Sequence, residues 1–510
     1  MTDYSANNKR IAKNTLFLYF RMIIIMLVTL FTSRVILDAL GEEDYGIYNV
    51  VGGFVTMFSM FSGPLSMAIQ RFLNYEIGKG DNEKLKRIFS TSVNIQIIIA
   101  VTLAIFCEGI GLWFLHDKMT IPPDRVHAAI IVLQFSIAAF MIGLISVPYN
   151  ADIIAHEKMS AFAYISIVEV ILKLAIAYCI YIAGFDKLIV YSVLLFIVSL
   201  TIRFIYGVYC TRHFAEAKYY FSIDKDLLRE MFGFAGWNLF GNATWMFNTQ
   251  GINLLVNSYF GLSANAARAI SEQVNSAVSQ FVNSFMTAMN PQITKSYAVG
   301  DMDYLYHLNC RGAKYSFFII YMFVVPIVLE VNTMLGLWLK AVPGDTAIFL
   351  RLVLFATVAT VIGNPLYTSI MATGNIKRYQ VTVSLIALLV FPLTWLAYQL
   401  GMPAYVSYVF FALAYFVIDF VRLGFAKKQI NFPVRNFLKE VYLRIFICSV
   451  TCFILPALVV IILDSSIWRM LLTCVISLIW SPICFYLFGL DRYEKEFFSN
   501  KLRSYITRRV

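Results

Sequence analysis

Apolar residues in this chain do not alternate with polar ones. They run in continuous blocks parted by short polar connections, and no charged residue occurs from Met231 to Ala267 or from Tyr379 to Ile418. Roughly 20 apolar residues cross the hydrocarbon of a bilayer as a helix, so each of these stretches holds more than one span. The blocks predict fourteen membrane helices, at 14–38, 47–70, 90–114, 126–147, 160–183, 188–210, 233–258, 265–290, 315–338, 347–371, 380–400, 404–424, 442–463 and 467–488. A transmembrane β-barrel is excluded, because its strands alternate every second residue.

Composition sharpens that picture. Of 510 residues, 60% are hydrophobic and only 14% charged, with a mean hydropathy of +0.72, too apolar for a soluble globular domain. No stretch between blocks is long enough for a soluble catalytic domain. The net charge of +11 does not point to nucleic acid, because the basic residues are scattered between apolar blocks. They gather in the N-terminal tail, the connections after even-numbered spans and the C-terminal tail. The opposite connections hold only Lys118, Arg125, Lys187, Lys340 and Arg469. By the positive-inside rule both termini are cytoplasmic. The opening Met1–Lys13 is polar and the first apolar block is too long for a signal-peptide core, so that block is expected to remain as a span. Cys107, Cys179, Cys210, Cys310, Cys448, Cys452, Cys474 and Cys484 lie in or beside apolar blocks without metal-ligand spacing, and are expected to be packing residues.

A weak internal repeat stands at an offset of 220: Gly41 with Gly261, Gly80-Asp81 with Gly300-Asp301, and Leu85 with Leu305. The offset pairs span 1 with span 7, so each unit holds six helices, and an even number makes the repeats parallel. The expected architecture is an all-α polytopic membrane protein with two pseudo-symmetric six-helix bundles and two added helices. The N-lobe covers 1–212, a cytoplasmic connection 213–230, the C-lobe 231–428, spans 13 and 14 429–490, and a basic cytoplasmic tail 491–510. Two such lobes rocking about a central site is transporter architecture.

Charges inside spans cost about 2.5–3.5 kcal/mol each at a helix centre and need a reason. Arg34, Arg203, Glu330 and Arg351 lie where snorkelling to the interface is the plain expectation. Arg21 is deeper in span 1 and is a candidate for facing a water-filled cavity. Glu169 and Lys173 share a face of span 5 at i, i+4 spacing and read first as a self-neutralising pair. Arg268 and Glu272 repeat the spacing in span 8, and here Asn275, Ser279, Asn283 and Asn290 join them within about 80° of arc over roughly 33 Å of helix. Span 7 carries a similar stripe of Asn238, Asn242, Thr249 and Asn253. Amides offer donor and acceptor together, as sugar hydroxyls require; the competing explanation is interhelical packing. Phosphate loop, nucleophile elbow, paired metal ligands and ATP-binding domain are all missing from the sequence. Metal and cofactor are therefore not expected, nor enzymatic activity. Transport would draw on a proton or sodium gradient, the membrane potential or the substrate's own gradient, with Glu272, Asp419, Glu169 and Lys173 as ion-coupling candidates.

Two segments carry a resemblance. The first runs through Leu40-Gly41, Tyr45-Gly46-Ile47-Tyr48 and Ala68-Ile69-Gln70-Arg71-Phe72 to Gly78-Lys79-Gly80-Asp81. The second runs from Asn238-Leu239-Phe240-Gly241 through Gln250-Gly251-Ile252-Asn253, Asn265-Ala266-Ala267-Arg268 and Gln273-Val274-Asn275 to Pro291-Gln292-Ile293-Thr294-Lys295-Ser296-Tyr297. Together they resemble Wzx-type polysaccharide (O-antigen, lipopolysaccharide) flippases of the MOP exporter superfamily, which also holds the MATE drug exporters and the lipid II flippases. The resemblance implies a bacterial inner-membrane protein that moves undecaprenyl-diphosphate-linked oligosaccharide to the periplasmic leaflet by alternating access. Its partners would be that lipid-linked sugar, membrane lipids and other polysaccharide-assembly proteins. It also implies cavity cations, for which Arg21, Arg268 and Arg34 are candidates, and a groove for the lipid tail beside the two added helices. The alternatives are a MATE-like drug or cation antiporter, for which a cavity richer in carboxylates is expected, and a membrane polysaccharide polymerase or glycosyltransferase, for which a larger outer loop is expected.

Overall fold

The computed structural model describes residues 5–117, 121–182, 184–221, 224–339, 342–491 and 494–496. Among them every regular element is helical. The first is α1 (Ser5–Met57), followed by α2 (Ser62–Lys79), α3 (Asn82–Asp117), α4 (Val126–Ala155), α5 (Met159–Ile182) and α6 (Lys187–His213). A long α7 (Lys225–Ala298) leads to α8 (Met302–Leu329), α9 (Val331–Trp338), α10 (Thr346–Val361), α11 (Asn364–Ala372), α12 (Lys377–Leu388) and α13 (Val390–Gln399). The chain closes with α14 (Val406–Ile430), the short α15 (Val434–Phe437), α16 (Leu443–Ile462) and α17 (Ile467–Cys484).

Among the described residues eleven helices are long and apolar enough to cross a membrane, and twelve if α10 and α11, bent by 43° at their junction, count as one span. The sequence expectation of fourteen exceeds this. Spans 7 and 8 both lie in α7, which is not among the eleven, and the amides that made those spans interesting also lower their hydropathy. Large apolar side chains on the outside, such as Ile182, Phe204, Ile461 and Trp468, suit lipid as solvent. The protein is a multi-pass membrane protein.

The chain divides into two compact units, Met1–Leu239 with Thr287–Gly300, and Phe240–Met286 with Asp301–Val510. The end of α7 thus belongs with the first unit. Backbone geometry repeats across the two. Gly41 breaks α1 at φ 79° and ψ 169°, and Gly261 breaks α7 at φ 77° and ψ −170°. Only glycine adopts such an angle cheaply. Gly80 and Gly300 are both left-handed, at φ 78° and 77°. Each is followed by an aspartate capping the next helix, Asp81 accepting from the Lys84 amide at 3.0 Å and Asp301 from the Tyr304 amide at 3.0 Å.

Polar contacts at buried positions hold each unit. In the second, Glu330 is 1% exposed and takes a two-pronged bond from Arg469 at 2.7 and 2.9 Å. It is a buried tie from α17 to the α8–α9 corner, unlike the interfacial residue expected. Arg203 likewise packs its guanidinium over the Tyr149 ring at 3.8 Å. All eight cysteines are free thiols.

Candidate functional site

In the second unit, α7 carries Arg268 one turn before Glu272, as their spacing requires. The two do not pair. Arg268 is 2% exposed, its guanidinium stands 5.0 Å from the centre of the Tyr408 ring, and its Nε and Nη1 have no hydrogen-bond partner. Glu272 instead accepts from the Tyr408 hydroxyl at 3.0 Å. Asn275 reaches the other Glu272 oxygen at 3.5 Å and accepts from Thr357 at 2.7 Å. A polar chain therefore runs from α14 through α7 to α10, with a cation at one end whose donors are open. A buried guanidinium without acceptors is costly, and its planar fork matches phosphate or carboxylate oxygens.

In the first unit, Arg21 packs its guanidinium over the Phe162 ring at 4.4 Å, and its Nε also lacks a partner. Glu169 and Tyr206 act on it electrostatically, and Glu169 is paired with Lys173 at 2.6 Å. Three of the predicted residues are thus brought together: Arg21, Glu169 and Lys173. Arg34 is exposed on α1 and takes no part.

The amide stripes are only partly realised. Asn238 is buried and bonds the Phe234 carbonyl of its own helix at 3.1 Å, whereas Asn242 and Asn283 are exposed. Asn253 meets Gln250 at 3.3 Å. Asn248, which the periodicity did not single out, donates to the Ala387 carbonyl of α12 at 2.6 Å. Asp419 is committed to Arg422 at 2.9 Å, which in turn donates to the Tyr379 hydroxyl at 3.0 Å.

A family model for polysaccharide biosynthesis protein matches residues 11–297. The chain belongs to that family. No curated protein matches it. Among solved structures it is similar to MATE in the straight conformation, at 15% identity and TM-score 0.70 over 83% of this chain and 96% of that one. An outward-facing multidrug resistance MATE family transporter of the MOP superfamily matches at 15% and 0.68 over 82% and 96%. A MOP superfamily transporter from Pyrococcus furiosus, described as having a binding pocket of reversed polarity, matches at 14% and 0.65 over 82% and 96%. At such identities these likenesses establish the fold.

Two further features of this polysaccharide biosynthesis family member have lining residues that the sequence did not single out. An apolar cavity of about 650 Å³ lies among α8, α10, α14 and α16, lined by Phe317, Tyr321, Phe355, Phe416, Phe420 and Phe446, with Arg351 and Asp419 as its charged residues. The other is a cluster around Glu157, at the α4–α5 corner. This residue is 4% exposed with φ 58°. Its carboxylate takes Arg10 of α1 at 2.7 Å, Lys295 at 2.8 Å and Gln292 at 2.8 Å to each oxygen, and Asn14 donates to its carbonyl at 3.1 Å. Burial works to lower the Lys295 ammonium below its usual range, against Glu157, which raises it. Gly78 lets α2 approach the same segment: a methyl there would sit 3.1 Å from the Lys295 carbonyl oxygen. Gln292 and Lys295 belong to the motif that carried the resemblance, but their partner is 135 residues or more away in sequence, beyond any local signal.

Proposed function

We propose that this transporter moves a lipid-linked oligosaccharide, with a diphosphate head group, from the cytoplasmic to the periplasmic leaflet of the bacterial inner membrane by alternating access. The observation that carries the reading is the buried Arg268 guanidinium, whose Nε and Nη1 lack acceptors while Glu272 is engaged by Tyr408. A diphosphate cannot cross hydrocarbon unpaired, and arginine is the side chain that pairs it in two-pronged fashion. Family membership supports the sugar. The apolar cavity beside α16 suits a polyprenyl chain, which need never leave an apolar medium. Exposed amides such as Asn242 and Asn283 would meet glycan hydroxyls, and Arg21 would serve as a second cation. Binding must stay modest, because a site that holds the head group too tightly does not release it.

The test is a deletion strain carrying wild type or Arg268→Ala, with lipid-linked intermediates analysed by leaflet. Complete repeat units accumulating on the cytoplasmic leaflet support flipping. Unpolymerised units already outside would assign the protein to polymerisation instead. A second reading, antiport of a drug or organic cation, rests on the MATE-like fold and on the carboxylates Glu272 and Asp419. Drug sensitivity of the deletion strain, with normal lipid-linked intermediates, would favour it. Cytoplasmic termini are part of the proposal, and reporter fusions at 41–46 and 431–436 should report opposite sides of the membrane.

A further inference from the structure

The sequence shows no paired metal ligands by motif, yet folding makes a set of three. Asp152 and His156 are four apart at the end of α4, so they share a face. The turn after α6 brings Glu216 against them. One ligand atom from each residue lies within 4.8 Å of the others. His156 Nε2 contacts Glu216 Oε1 closely, and the imidazole is stacked on Phe214 at 4.2 Å and 9°, which fixes its plane. Asp152 is the anomaly. It is fully buried, neither carboxylate oxygen has a hydrogen-bond partner, and its Oδ1 stands 3.7 Å from His156 Nε2, too far for a hydrogen bond. Two carboxylates face one imidazole, and the one wholly removed from water has nothing to satisfy it.

We propose that Asp152, His156 and Glu216 form a site for a divalent first-row transition cation of the Zn²⁺ or Mn²⁺ kind. One imidazole nitrogen and two carboxylate oxygens suit such ions and disfavour Mg²⁺ and Ca²⁺, which prefer all-oxygen sites. Three protein ligands leave a coordination position for water or another small donor. The cation joins the last turn of α4 to the segment after α6, and His156 directly precedes Glu157. Metal binding therefore stiffens the corner that presents Glu157 to Arg10, Gln292 and Lys295. The site is independent of the cargo assigned above and holds whether that cargo is a lipid-linked sugar or a drug.

The experiment uses the full chain in detergent, with its affinity tag removed, stripped with a chelator and desalted. After addition of Zn²⁺ and a second desalting, about one Zn²⁺ per chain should remain by elemental analysis. Excess Mg²⁺ should not displace it, and Zn²⁺ should raise the thermal unfolding temperature. Asp152→Asn, His156→Gln and Glu216→Gln should each weaken Zn²⁺ binding at least about tenfold. Co²⁺ as a probe should give the visible absorption of a mixed nitrogen–oxygen site in the wild type, a readout that needs no variant to fold. Wild type retaining no more Zn²⁺ than His156→Gln, variants binding as tightly as wild type, or Co²⁺ giving only the spectrum of the aquo ion would each overturn the proposal. So would Asp152→Asn stabilising the metal-free protein with no metal bound by the wild type, since that identifies a plain proton-sharing network.

Discussion

Tyr48 and Arg268 stand 220 residues apart, the spacing of Gly41 and Gly261. Tyr191 and Tyr408 stand 217 apart, the spacing of the residues that cap α6 and α14 at their ends, Phe214 and Asn431. In the first unit the pair is Tyr48 edge-on to Tyr191, with ring centres 4.8 Å apart. In the second, a guanidinium occupies the place of the first ring, over Tyr408 at 5.0 Å. Beside Tyr48, Gly52 helps line a cavity of about 400 Å³; its counterpart 220 residues on is Glu272. The same frame carries a neutral aromatic pair in one unit and a cation with a carboxylate in the other. The first unit has buried charges of its own, and at Glu157 both carboxylate oxygens are occupied by donors. A satisfied buried charge holds structure together. An unsatisfied one on a repeated frame is where specialisation has been added.

Removal of the Glu157 carboxylate should damage the first unit most. Glu157→Ala strands the largely buried ammonium of Lys295, and removing one partner of a buried ion pair costs about 3–5 kcal/mol. Thermal unfolding of the purified protein should show a large loss; an unchanged unfolding temperature would mean that the cluster is not held in the native protein. At Arg268 the expectation reverses. Arg268→Ala should reduce export roughly 10- to 100-fold, in line with about 1.5–3 kcal/mol for hydrogen bonds to a charged group, while thermal stability stays level or rises. Arg268→Lys should restore part of the export, keeping charge without the fork. Tyr48→Phe at the matching position should leave export unchanged. If Arg268→Ala with Glu272→Ala regains full export, the arginine serves only to neutralise its neighbour.

The repeated glycines provide the symmetrical control. Gly41→Ala and Gly261→Ala force a side chain into positive φ, at roughly 1–2 kcal/mol each, and the two losses should match in urea or thermal unfolding. A large inequality would show that the units do not share a frame. The smallest effect concerns Asp186, the N-cap of α6 and partner of Arg125. Burial alone would raise its carboxyl; the Arg125 hydrogen bond and the amides of Ile189 and Leu188 outweigh this and leave it below the usual aspartate range. Its contribution is therefore present above the ordinary value of about 3.9 and is lost as pH falls through the lower folded value. Asp186→Asn should flatten the acid limb of the stability profile slightly, with no change at pH 7 beyond the lost charge pair.

Much of this could be read along the chain because it depends on short-range periodicity. Continuous apolar blocks specify membrane helices whatever their neighbours, since in lipid each helix must satisfy its own backbone. Glycine is strongly favoured at φ near +78°, so the pairs Gly41 with Gly261 and Gly80 with Gly300 mark the repeat without any contact being known. The i, i+4 spacing placed Arg268 and Glu272 on one face, but spacing cannot say whether neighbours on a face bind one another. Tyr408, 136 residues beyond Glu272, takes the carboxylate and leaves the arginine open. Periodicity likewise ranked Asn238 with Asn242, although one is buried against its own helix and the other exposed. The Glu157 cluster joins α1, the α4–α5 corner and the end of α7, and the Asp152, His156 and Glu216 set joins α4 to the turn after α6. Hydrophobic pattern and backbone conformation are local properties and are written in the sequence. The satisfaction of a buried charge depends on which distant side chain arrives beside it, and only the packed helices decide that.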